Sequence, residues 1–156
     1  MLDNPVDFRP IPDNSKLEPK LAQLLAYWQS KRKPGLIPAR GDIDPIDIPR
    51  LMADVALVDI LRDPLDYRYR LVGTRLVEMM GSERTGLRMR EVFPPQAVAA
   101  TVTLMERLLA RREPLAFEGR MVWLERDYRV FQALVLPLTV GGEQVDMAIM
   151  GIVFLS

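Results

Sequence analysis

Two segments near the end of the chain, Tyr128 to Leu138 and Glu143 to Leu155, are apolar on both of the faces that a β-strand presents. In the first, Val130, Leu134 and Leu136 share one face while Phe131, Ala133 and Val135 share the other. In the second, Val145, Met147, Ile149 and Val153 oppose Ala148, Met150, Ile152 and Phe154. The short Gly141-Gly142 loop between them demands an antiparallel pair. An antiparallel sheet with one wet face alternates apolar with polar residues, so apolar residues on both faces mean that both are covered. An open sheet with one solvated side is thereby excluded.

Helical patterning supplies the cover. From Leu17 the apolar residues fall at Leu17, Leu21, Leu24, Leu25 and Trp28, the 3.6-residue period of an amphipathic helix. Two starts are open: Ser15 with Glu18 fits a capping box, and Pro19 fits the first helical position. Lys31, Arg32 and Lys33 suit the negative end of the dipole, and Pro34-Gly35 stops the helix. Ahead of it, residues 1–16 hold Pro5, Pro10 and Pro12 among polar residues and read as a flexible N-terminal arm. The chain thus divides into an arm (1–16), an amphipathic helix (17–35) and a domain (36–156).

Within the domain, Leu36 to Pro49 is a linker rich in Pro and Asp. Val55 to Leu61 and Asp66 to Val72 form a hairpin around Arg62-Asp63-Pro64, with Tyr67, Tyr69 and Leu71 on its buried face and Arg68 and Arg70 on the charged one. Thr74 caps a short helix through Met80 that ends at Gly81. Pro94-Pro95 opens a longer helix to about Arg112, with Val98, Thr101, Val102, Met105, Leu108 and Leu109 inward. A strand over Leu115 to Leu124 precedes the two apolar segments, joined to the first by Glu125-Arg126-Asp127. Helices grouped between strand pairs with tight hairpins make an α+β fold, a mainly antiparallel sheet under one helical layer. The amphipathic helix is the candidate cover for the other face, from its own chain or from a partner.

Composition narrows the chemistry. The chain has no Cys and no His, which excludes disulfides, thiolate nucleophiles, flavin-cysteinyl adducts, Cys/His zinc sites, histidine-ligated haem and His-dependent triads. Lys plus Arg is 21 and Asp plus Glu is 21, so no basic field exists to hold a phosphate backbone, and nucleic acid is not an expected partner. The longest charge-free stretch, Val130 to Gly142, is too short to span a bilayer. The N-terminus carries Asp3 and Asp7 without an apolar core, unlike a secretory signal, so the protein is expected in the cytoplasm.

Clusters of ionisable residues have ordinary readings. Asp42, Asp44 and Asp47 could hold a hard cation, but Asp in such a loop mostly caps turns, and no metal site is expected. Arg84, Arg88 and Arg90 surround a Gly turn and could fork onto a phosphate or carboxylate, although a solvated face accounts for them too. No catalytic set is expected. The one enzymatic alternative is a small α+β cone fold using an Asp base and a Tyr donor, drawn from Tyr67, Tyr69 and Tyr128.

The segment from Tyr69 to Gly86, Tyr-Arg-Leu-Val-Gly-Thr-Arg-Leu-Val-Glu-Met-Met-Gly-Ser-Glu-Arg-Thr-Gly, resembles the second strand, first helix and following glycine turn of the PAS domain. That resemblance covers about residues 36–155 and implies a sensory fold, a five-stranded antiparallel sheet with helices on one face. With Tyr27-Trp28 and Leu36 to Pro45, the whole chain resembles a family of small bacterial proteins made of one PAS domain and a leading helix. The missing Cys and His set it apart from the light-sensing flavin branch and the usual haem branch, so no cofactor is expected. The resemblance implies a non-catalytic regulatory protein that contacts a signalling partner, since no output domain is visible. It also implies an internal cavity. The large, adaptable candidates to line it are Tyr69, Leu71, Met79, Met80, Met105, Phe117, Met121 and Trp123, with Gly119 leaving space for an unidentified small apolar ligand; the alternative is a closed core. Helices flanking such sheets are often shared between subunits, so Leu21, Leu24, Leu25 and Trp28 are expected at a homodimer interface, with docking inside one chain as the alternative.

Overall fold

The computed structural model describes residues 8–121 and 129–155. Its centre is a six-stranded antiparallel sheet in the order β1-β4-β5-β6-β2-β3. The strands are β1 (Arg9–Pro10), β2 (Val55–Leu61), β3 (Asp66–Val72), β4 (Leu115–Met121), β5 (Arg129–Leu138) and β6 (Met147–Leu155). Helices α2 (Thr74–Met80), α3 (Met89–Val92) and α4 (Pro95–Arg111) connect β3 to β4 and cover one face, while α1 (Pro19–Lys31) covers the other.

The sixth strand corrects the reading of the arm as flexible for residues 8–16; residues 1–7 lie outside the described residues. Arg9 and Pro10 pair with Glu118 and Phe117, Ile11 donates its N–H to the Ala116 carbonyl at 2.8 Å, and Phe8 packs against Phe117 and Phe131. Pro is tolerated here because β1 is an edge strand, where a missing N–H breaks no ladder.

Helix α1 begins with Pro19 at its first position, which selects the second of the two starts open in the sequence. The cap comes from elsewhere in the fold: the buried Gln132 of β5 accepts from the Glu18 N–H at 2.8 Å and donates to the Lys16 carbonyl at 3.0 Å. The apolar stripe then lies along β5 and β6. Leu21, Leu24, Leu25 and Trp28 are each at most 6% exposed within the single chain, and the Trp28 indole donates to the Pro137 carbonyl at 3.0 Å. These four residues therefore cannot also form the expected dimer interface without undocking. The outer sheet face, built of Leu134, Leu136, Ile149 and neighbours, consumes the whole stripe. Gly151 lets the helix approach closely, since a Cβ there would lie 2.8 Å from the Cδ2 atoms of both Leu21 and Leu24.

A buried charge cluster fixes the other edge of α1. Asp54 is 4% exposed and pairs with Lys20 of α1 at 2.9 Å and with Arg75 of α2 at 2.7 Å. Two carboxylates of the linker act as caps, Asp42 accepting from the Ala39 N–H and Asp44 from the Ile46 N–H, while Asp47 accepts from the Tyr27 hydroxyl and ties the linker to α1. At the far end of α2, Gly81 takes the left-handed conformation (φ 80°) that closes the helix.

Two elements differ from the sequence reading in orientation. Helix α4 buries Ala97, Leu104, Met105 and Leu108, so its inner stripe is rotated away from Val98, Val102 and Leu109, which are only half-buried. Strand β6 begins at Met147 rather than Glu143, because Glu143 and Gln144 stay exposed in the turn.

Candidate ligand cavity and its polar end

Between α4 and the sheet face beneath it lies an apolar cavity of about 70 Å³. Its floor follows from strand parity: Val58 and Ile60 of β2, Phe131, Ala133 and Val135 of β5, and Ala148, Met150 and Ile152 of β6 all point to this face. Ala133 and Ala148 are short among longer neighbours, and that leaves the floor hollow. Thr101, Leu104, Met105 and Leu108 form the roof, one stripe of α4. Leu115 and Phe117 of β4 close one side, where Phe8, Phe117 and Phe131 meet edge-on or tilted with centroids 5.4 to 5.8 Å apart. For scale, an engineered apolar cavity of about 150 Å³ stays dry and accepts benzene. This cavity is half as large and admits only a small body unless the flexible Met80, Met105 and Met150 side chains move aside.

The opposite end is polar. Tyr67 and Tyr69 of β3 are buried with their rings perpendicular at 5.2 Å and their hydroxyls 3.2 Å apart. Burial disfavours the phenolate and holds both pKa values above the usual phenol range, Tyr67 the more strongly. Phe93 packs edge-on to Tyr67 at 6.5 Å, and the guanidinium carbon of Arg84 lies 6.0 Å from the Phe93 ring centre. Arg84 comes from the loop after α2, which is pinned to β3 by bonds from Tyr69 N–H to the Leu87 carbonyl (3.0 Å) and from Gly86 N–H to the Tyr69 carbonyl (2.7 Å). That anchoring turns Arg84 inward, where it is only 5% exposed.

The three arginines grouped in the sequence thus have different fates. Arg88 pairs with Glu91 at the surface, and Arg90 donates to the Leu65 carbonyl and lies 4.0 Å from Asp66. Arg84 is not part of a solvated face.

Of the residues expected to line a pocket, Tyr69, Met80, Met105 and Phe117 do line this cavity. Leu71 does not. A bulge in the β2–β3 pairing matches Val58 with Tyr69 but Leu57 with Leu71, so Arg70 is the extra residue and Leu71 turns to the α1 face. Met79 is half-buried on α2, away from the cavity, because Leu76 and Met80 take the inward positions of that helix. Gly119 is buried opposite Phe131 on the cavity face of β4 but beyond the lining, where Phe117 and Phe131 already close the space. The side chain of Met121, and all of Trp123 and Tyr128, lie outside the described residues. Sequence reasoning missed Phe131, Ala133, Ala148, Met150 and Ile152 as lining. Their signal was the doubly apolar patterning itself, which announces two covered faces without saying which one is hollow.

No described carboxylate hydrogen-bonds the Tyr67 or Tyr69 hydroxyl, and the nearby Asp66 instead accepts from the Tyr67 and Arg90 backbone N–H groups. The Asp–Tyr pairing that the cone-fold alternative requires is not made by Tyr67 or Tyr69; the one hydrogen-bonded Asp–Tyr pair among the described residues, Tyr27 with Asp47, lies at the surface away from the cavity. No group of three or more metal-ligating side chains occurs among them either, and no described helix is long and apolar enough to cross a membrane.

Comparison with known proteins agrees with this architecture. No curated protein matches the chain in sequence. A solved structure described as an RNA-binding light-oxygen-voltage receptor superposes with a TM-score of 0.50 at 17% identity, covering 96% of this chain and 38% of that one. The chain therefore spans well under half the length of that receptor, and at this identity the likeness is one of fold. The sequence model of the PAS domain family matches residues 16–154, nearly the whole chain and including α1. The protein belongs to the PAS domain family, with a six-stranded sheet and an added helix on its outer face.

Proposed function

We propose that the protein is a non-catalytic sensory module that binds a small, mainly apolar molecule in the cavity under α4 and passes its occupancy to a signalling protein by contact. The observation that carries this reading is the aromatic- and Met-lined void within an otherwise packed core. Native interiors are close-packed, and the lining of a void forfeits dispersion contacts, so an occupant small enough to fit regains them. Roof and floor belong to different elements, α4 and the sheet, so filling the cavity biases their separation. The outward surface of α4 and the β3 edge beside it are then the parts whose shape a partner reads.

Native mass spectrometry of freshly purified protein tests this reading. The expected result is a fraction carrying one bound molecule of low mass, released by mild activation, with backbone amide shifts on α4 and β3 when it is stripped. Protein that retains nothing, and whose amide spectrum is unchanged by a library of small apolar compounds, would refute it.

A further inference from the structure

Beside the Tyr67–Tyr69 end of the cavity, against Tyr69 and just outside the lining itself, lies a charge without a counter-charge. Arg84 makes no ion pair among the described residues, its Nε reaches only the Ser82 hydroxyl at a long 3.4 Å, and its buried Nη1 has no hydrogen-bond partner. Glu83, next to it in sequence, and Asp66, next to Tyr67, are committed elsewhere. Glu83 accepts from the Thr85 hydroxyl at 2.6 Å and from the Thr85 and Arg84 backbone N–H groups, and Asp66 is held by Tyr67 and Arg90. A guanidinium cannot shed its proton at any ordinary pH, so unlike a buried Lys it cannot escape the cost of burial by neutralising. Unpaired buried charge is among the most expensive features a fold can retain, and the face of Phe93 compensates it only in part.

We infer that the cavity selects a small monocarboxylate, with the carboxylate received by Arg84 and the Tyr67–Tyr69 hydroxyl pair and the apolar body lying among the Met and Phe side chains under α4. The chemistry of the two ends matches that shape. A guanidinium fork complements the two carboxylate oxygens, and two neutral phenols are donors that can turn from each other to a ligand. Their raised pKa values keep both in the donating form. The present volume of about 70 Å³ favours a body of a few carbon atoms. This inference rests on the cavity reading above and adds the charge and class of the occupant.

The test compares hexanoate with 1-hexanol, and butanoate with 1-butanol, by titration followed in amide correlation spectra. Each is run on the wild type and on Leu108→Ala, which enlarges the same cavity from its roof. Hexanoate is expected to bind at least tenfold more tightly than 1-hexanol in one or both forms, and Arg84→Met should abolish that preference while leaving the alcohol's affinity within about twofold. Should Arg84→Met fail to fold, Tyr69→Phe replaces it, with an expected reduction of the preference by at least threefold. Equal binding of acid and alcohol, or a preference that survives the substitution tested, overturns the carboxylate assignment and leaves an apolar-ligand cavity standing. Failure of all four probes to bind either form overturns both readings.

Discussion

Substituting Gly151 reports directly on whether α1 is seated on its own sheet. In a free strand, replacing Gly by Ala gains about 0.5–1 kcal/mol by restricting the unfolded chain. Here the new methyl would stand 2.8 Å from the Cδ2 atoms of Leu21 and Leu24, well inside van der Waals contact. Those leucines are 1% and 2% exposed, and the void of about 10 Å³ that Leu21, Leu24 and Gly151 line leaves their flexible ends little room to turn into. Overpacking of this kind costs about 1–3 kcal/mol, which offsets the backbone gain and leaves a net loss of up to about 2.5 kcal/mol. Leu24→Ala alone should cost about 2–5 kcal/mol. In the double variant the Leu24 contact is gone and only the Leu21 contact remains, so about half the strain, roughly 0.5–1.5 kcal/mol, is recovered as coupling. Equilibrium urea unfolding of the four proteins of this cycle, followed by tryptophan fluorescence and far-ultraviolet dichroism, measures each value. Stabilisation by Gly151→Ala, or additivity of the two changes within about 0.3 kcal/mol, would refute a helix packed at this distance.

Three further outcomes are expected. Because burial raises the Tyr67 and Tyr69 pKa values above 10.0, the unfolded chain releases protons that the native state keeps. Their contribution to stability is complete below about pH 10 and is lost as pH rises above it, so a spectrophotometric titration near 295 nm should ionise these two phenols only together with unfolding; ionisation of every tyrosine in a folded protein would contradict this. Asp54→Asn should lower stability by about 1–3 kcal/mol, the buried carboxylate losing charge-assisted bonds to two partners whose own exposure moderates the effect, and a loss under about 0.5 kcal/mol would remove the cluster's role in fixing α1. Phe8→Ala should cost about 1–3 kcal/mol, less than a fully buried Phe, and increase binding of a hydrophobic dye at the β4 end of the cavity; unchanged melting and dye binding would show that the arm is not part of the wall.

Much of the architecture was legible because it rests on local periods. The β2–β3 hairpin, the stop of α2 at Gly81 and the stripe of α1 each depend on residues close together in the chain. Where the reading failed, the deciding partner lay far away. Leu71 shares the parity of Tyr69, but a bulge between paired strands reverses its face, and a bulge is a property of two strands rather than one. Arg84 looks like its neighbours Arg88 and Arg90 until backbone bonds to Tyr69 turn it inward. Residues 9–10 carry no strand pattern and pair because the β4 edge, more than a hundred residues later, is open to them.

The sequence by itself determined that this chain builds an antiparallel sheet covered on both sides, because the doubly apolar β5 and β6 segments leave no solvated face whatever their partners are. Its lack of Cys and His likewise removed whole classes of chemistry without reference to any coordinates. The tertiary structure alone decided which cover goes where. Close approach at Gly151 and the Gln132 latch commit α1 to its own sheet, and the stripe once expected between subunits is spent inside one. The structure also decided that the other face is hollow at Ala133 and Ala148 and charged at Arg84. Voids and unpaired charges are sums over residues distant in the chain, and a one-dimensional pattern does not record what fails to meet.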